Sequence, residues 1–130
     1  MAVHASWYNT EKTILYFRFS YPWTVEQFLD LNAVFGGEIC TLPHTVDAIF
    51  DFTSAGTISA EDVSGFRRAA KSSVGAPNQG ISVMYGNPML SLVVKVVRLV
   101  VPTTENRVFV VDNEQEAVEL IRRMRSASAA

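Results

Sequence analysis

The stretch NPMLSLVVKVVRLVV, residues 87–101, reads in two opposed ways. Its valines favour a strand by propensity. Its polar residues, Ser91, Lys95 and Arg98, fall four and three apart, which lines them along one stripe of a helix. Asn87 suits an N-cap, Pro88 suits a first turn, and Pro102 ends whatever precedes it. The spacing therefore predicts a helix from Pro88 to Val101. On that reading Ile81–Tyr85 before it and Arg107–Val111 (RVFVV) after it become strands joined by a crossover, so they lie parallel.

The same periodicity test extends to both ends of the chain. Val3–Tyr8 and Thr13–Phe19 are rich in aromatic and β-branched residues, with a short Asn9–Lys12 connection that suits a hairpin. Thr24 and Gln27 fit a capping box ahead of Val25, Phe28, Leu29 and Phe35, and Gly36-Gly37 is expected to stop or loosen that helix. Val46–Phe52 reads as a buried strand. Ser59 caps a second helix, Ser59–Lys71, with Glu61 and Asp62 at its positive end and Val63, Phe66, Ala69 and Ala70 as its apolar side. Residues 76–80 form a turn. Asp112 or Asn113 caps the last helix, with acids in its first turn, Arg122, Arg123 and Arg125 in its last, and Ala117, Leu120, Ile121 and Met124 as its buried face. The order is ββαβαβαβα. It predicts an α/β fold with about five strands, mainly parallel, an antiparallel edge hairpin and about four helices.

The totals agree with one domain over residues 1–125 and a frayed tail at 126–130. The chain has 130 residues, 48% of them apolar and 18% charged. That suffices for a core without metal or disulfide staples. A net charge of -2 and the lack of a long basic stripe argue against a nucleic-acid binder. Cys40 is the single cysteine, which fits a reducing compartment, and the first residues have no apolar signal segment. No run is apolar enough for a membrane span. These readings place the protein in the cytoplasm.

The element order and three places in the chain resemble the STAS superfamily, the fold of anti-anti-sigma factors. The places are the Phe50-Asp51-Phe52-Thr53 strand end before a Ser/Asp-rich helix start, the Pro77-Asn78-Gln79-Gly80 turn into a strand ending at Gly86-Asn87-Pro88, and the Arg107–Ala117 strand-to-helix ending. The resemblance implies a non-catalytic regulatory module that acts by protein contact. In anti-anti-sigma factors a serine at the start of the second helix is phosphorylated, which adds charge and acceptors there. The matching segment is Asp62-Val63-Ser64-Gly65, with Val63 at the acceptor position. Ser64 or Ser59 substitutes only with a shifted register, so Ser59, Asp62 and Ser64 are the candidate regulatory residues.

Reactive constellations are absent from the sequence pattern. Asp51 ends a central strand as in phosphoacceptor receivers, but no acidic pair follows the first strands, so it reads as a strand-end acceptor of backbone N–H bonds. His4 and His44 lack partners at metal-ligand spacing. Cys40 reads as a small filler rather than a nucleophile. Gly86-Asn87-Pro88 offers backbone N–H groups to an anion, but a plain cap is the simpler reading. Trp7, Tyr8, Tyr16, Phe17 and Phe19 read as core aromatics, with Tyr21 and Trp23 at a rim. No enzyme, metal or cofactor is expected.

The helix from Pro88 carries two apolar rows: Leu90, Val94, Val97 and Val101, and Met89, Leu92, Val93, Val96 and Val100. A helix on a sheet buries a stripe of roughly 100°. The surplus of the first row is therefore expected to face a second subunit, an apolar ligand or a lid segment, unless the helix is wrapped deeper in its own fold; the reading taken is a second subunit, making the protein a homo-oligomer. The alternative is a carrier or sensor of an apolar small molecule or lipid, held in a pocket under that helix.

Overall fold

The computed structural model describes residues 3–72, 78–100 and 107–129. Over them the chain runs β1 (Val3–Trp7), β2 (Ile14–Ser20), α1 (Val25–Ile39), β3 (Val46–Ser54), α2 (Ala60–Ser72), β4 (Gln79–Tyr85), α3 (Leu90–Val100), β5 (Val108–Val110) and α4 (Glu114–Ala129). The sheet order is β1-β2-β3-β4-β5, antiparallel between β1 and β2 and parallel beyond. The α/β fold expected from the element order is the fold observed. Each parallel neighbour is also the next strand in the chain, so the crossovers advance in one direction. α1, α2 and α3 share one face of the sheet, and α4 lies alone on the other.

Local signals account for the element starts. Thr24 Oγ1 accepts from the Gln27 amide at 3.2 Å and Gln27 Oε1 accepts from the Thr24 amide at 3.0 Å, closing a capping box on α1. Asn87 Oδ1 accepts from the Met89 amide ahead of α3, and Asn113 Oδ1 from the Glu116 amide in α4. At the hairpin, Asn9 Oδ1 accepts from the Thr13 amide at 3.0 Å.

The three-helix face is aromatic. Phe19 stacks on Phe52 with ring centroids 4.2 Å apart, Phe17 stacks on Phe50 at 5.0 Å, and Phe28, Phe66 and Trp23 close over them. Trp23 is buried rather than at a rim, its indole N–H donating to the Ala55 carbonyl at 3.0 Å; Tyr21 is the exposed aromatic there. Gly65 lets α2 approach α1, because a Cβ there would sit 2.7 Å from a Val25 methyl.

Several expectations are corrected. α1 passes through Gly36-Gly37 to Ile39, where burial of Ile39 outweighs the roughly 1 kcal/mol that each helical glycine costs. α4 runs to Ala129. The Leu90 row is not surplus. Leu90, Val94 and Val97 are buried in the core together with Val93, because α3 is packed by both the sheet and α2 and so buries a wider arc. Val101 and residues 76–77 of the expected turn lie outside the described residues, and Gln79 and Gly80 already belong to β4.

Candidate functional site

The start of α2 is built as a cap. Ser59 Oγ accepts from the Asp62 amide at 3.1 Å, and Asp62 Oδ2 accepts from the Ser59 amide at 3.0 Å. Ser59 and Ser64 are exposed, Asp62 is half-buried, and Val63 is buried in the core between them. Two of the three candidate regulatory residues, Ser59 and Asp62, meet as a reciprocal cap. Ser64 is the hydroxyl left exposed on the helix surface.

A polar cluster at the strand ends joins residues that the sequence kept apart. Asp51, only 4% exposed, lies toward the C-terminal end of β3 on the face that carries α4. Its Oδ1 accepts from the Thr53 amide at 2.9 Å and the Thr53 hydroxyl at 2.6 Å; its Oδ2 accepts from Tyr16 Oη at 2.6 Å. Tyr85 Oη lies 2.6 Å from Tyr16 Oη; with the Tyr16 proton committed to Asp51, Tyr85 is the donor in that pair. Arg18 Nε stands 3.8 Å from Asp51 Oδ2. Glu114, at the start of α4, accepts from Tyr8 Oη at 2.8 Å, and Tyr8 stacks on Tyr16.

Burial alone would raise the Asp51 carboxyl, but hydrogen bonds from Thr53 and Tyr16 outweigh it and hold the group below its ordinary range. Burial and the bond to Asp51 push Tyr16 up to about 12, and burial and Tyr16 push Tyr85 up as well. Asp51 is thus ionised at neutral pH and spends its lone pairs on β2, on Thr53 and, through Tyr16, on β4. Asp51 does accept a backbone N–H bond, from Thr53, but β3 runs on to Ser54 rather than ending at it. Its tyrosine partners were missed because they stand 35 and 69 residues from their partners in the chain, beyond any local pattern.

A second clasp fixes the far end of α4. Asp47 is buried in β3, where Oδ1 accepts from the Ile81 amide at 2.8 Å. Arg125 Nε donates to Asp47 Oδ2 at 2.8 Å and its Nη2 to the Thr13 carbonyl at 2.6 Å. Gly80 makes room for this carboxylate, since a Cβ there would collide with Asp47 Oδ1.

The sheet has two edges, at β1 and at β5. The Arg107 carbonyl accepts from Ser82 and the Val111 amide donates to Met84, so by alternation the main-chain groups of Val108 and Val110 point outward. No described strand pairs with them. A groove of about 580 Å³ runs between this edge and α3, lined by Val94, Lys95, Arg98, Leu99, Phe109 and Val110, with Ser91 at one end. Arg98 Nη2 donates to the Val108 carbonyl at 2.5 Å and its guanidinium lies 6.0 Å from the Phe109 ring centre, while Arg98 Nε is buried without a partner. Leu99 is 75% exposed and Val110 is exposed in the same groove; Leu92 is exposed elsewhere on α3. The exposed apolar surface of α3 is therefore its Leu92–Leu99 side, not the Leu90 row.

His44 Nε2 lies 2.9 Å from the Lys12 carbonyl, Cys40 is exposed, and His4 is on the exposed side of β1. Among the described residues no three His, Cys, Asp or Glu side chains are grouped to hold a metal ion, and no helix is long and apolar enough to cross a membrane. No protein-family model matches the chain, and no curated protein or solved structure matches it.

Proposed function

We propose that this chain is a non-catalytic, self-associating interaction module of the STAS type, working in the cytoplasm through the β5–α3 edge. The observation that carries the reading is a sheet edge that no described strand pairs with, flanked by exposed Leu99 and Val110. Unpaired edges invite another chain, and monomers usually blunt them with charge, a bulge or a covering loop. The element order adds support, since the observed ββαβαβαβα is the order on which the resemblance rests. A lone cysteine suits a reducing compartment. The partner is a second copy or another protein, not nucleic acid, given the net charge of -2.

Sedimentation velocity tests this. The wild-type chain is expected to associate, and Leu99→Asp to give a folded monomer by circular dichroism. An association state unchanged by Leu99→Asp removes the β5–α3 edge as the interface. A second reading, a carrier of an apolar small molecule, is favoured by the groove volume, which lies in the range of ligand pockets. Native mass spectrometry of freshly purified protein separates the two: a retained small-molecule adduct favours the carrier, and a bare oligomer the module.

A further inference from the structure

We propose that the β5 edge accepts an extended partner segment carrying a carboxylate among apolar residues, and that Arg98 occupies the place of that segment until it arrives. This rests on reading the β5–α3 edge as an interaction surface. Val108 and Val110 direct their main-chain groups outward, as a strand does toward a neighbour. Arg98 Nη2 already satisfies the Val108 carbonyl, the acceptor that an added strand would use first. It does so imperfectly, because Arg98 Nε is left buried with no partner. A buried N–H that has given up water without gaining an acceptor is a standing cost.

An incoming strand removes that cost by exchange. Its own N–H takes the Val108 carbonyl, which frees the guanidinium. A carboxylate on the same segment then accepts from Nε and a terminal nitrogen together, the fork geometry in which arginine binds carboxylates most strongly. The charge of the groove selects for this partner: the charged groups among its described lining are Lys95 and Arg98, both cationic. Leu99 and Val110 offer apolar contact to side chains on either side of the carboxylate. Main-chain pairing supplies affinity and the side-chain contacts supply selectivity, as in other strand additions.

The test uses a fluorescein-labelled octapeptide of alternating valine and threonine with one central glutamate, and its counterpart with lysine in that place, read by fluorescence anisotropy on the full chain. The glutamate peptide is expected to bind, and the lysine peptide to bind about tenfold more weakly or worse. Arg98→Ala should erase that preference. Val110→Pro removes one outward N–H without touching the β4 ladder, and should abolish binding of both peptides, whereas Val110→Ala should not. Lys95→Ala, at an exposed position, reads the charge contribution if Val110→Pro proves unfolded by circular dichroism. Equal binding of the two peptides, no binding of either, or a preference that survives Arg98→Ala overturns the proposal. If neither peptide binds while Leu99→Asp still breaks self-association, strand addition falls and the interaction surface stands. If the glutamate peptide binds through Arg98 while association ignores Leu99, the reverse holds.

Discussion

The two faces of the sheet are held by different physics. Under α1, α2 and α3 the contact is aromatic and dry, with Phe19 fully buried among Trp23, Phe28, Phe50, Phe52 and Phe66. Under α4 the apolar contact is smaller, centred on Ile14, Ile49, Ile81, Val83, Ala117 and Ile121. Two polar clasps flank it, Tyr8–Glu114 with Asp51–Tyr16–Tyr85 at one end and Asp47–Arg125–Thr13 at the other. One helix about 10 Å wide does not cover five strands spaced about 4.8 Å apart. The sheet beyond it, at His4, Ser6 and Arg18, is accordingly polar and exposed. The contrast shows that the aromatic face supplies bulk stability, while directional bonds set the position of α4.

The largest expected effect comes from the aromatic face. Phe19→Ala should cost about 3–5 kcal/mol in urea unfolding, through lost burial and the cavity left behind. A cost below about 1 kcal/mol would break the contrast, since core truncation cannot be so cheap where packing carries stability. Next is Asp47→Ala, which strips the buried Ile81 amide and leaves Arg125 without its carboxylate. It should cost about 2–3 kcal/mol, less than a fully buried pair because the Arg125 side chain is 38% exposed. Arg125→Ala with a smaller loss would sharpen the point, as the Ile81 bond then survives.

Tyr16→Phe should cost about 1 kcal/mol at neutral pH and should also change the alkaline limb. Tyr16 titrates at about 12 in the folded chain, above the value near 10 of an unfolded one. Its contribution is whole below about pH 10 and is lost as pH rises toward 12. The variant should therefore lose less stability over that interval, measured by urea midpoints at stepped pH. Asp51 behaves oppositely: its folded value is lowered, so its contribution is present above about pH 4 and disappears as acid protonates it. The smallest effect is Arg122→Ala, whose ion pair with Glu119 is 3.9 Å long and exposed on both sides. It should stay within about 0.5 kcal/mol by the same assay.

Much of the architecture was legible in the chain. The spacing of Ser91, Lys95 and Arg98 identified α3 as a helix against the strand propensity of its valines, and that decided the parallel sheet. The capping residues Thr24, Ser59, Asn87 and Asn113 marked helix starts within a residue or two. The candidate site was legible only in part. α3 was singled out for its excess of apolar residues, and it does border the open edge, but the exposed side is Leu92 and Leu99 rather than Leu90, Val94 and Val97. Periodicity counts rows on a helix without saying which row meets the sheet once a second helix packs beside it. Arg98 read as one residue of a solvated stripe; its reach to the Val108 carbonyl exists because β5 returns alongside α3.

What the sequence determined alone was local: which segments are helical or extended, where helices are capped, and hence the alternation that demands parallel strands. Those features depend on hydrogen bonds and side-chain spacing within a few consecutive residues. Only the tertiary structure decided that Tyr16, Asp51 and Tyr85 meet, that Arg125 reaches Asp47 across 78 residues, and that β5 is left at an edge. Each of these is set by where successive crossovers lay their strands, a property of the assembled sheet and not of any segment in it.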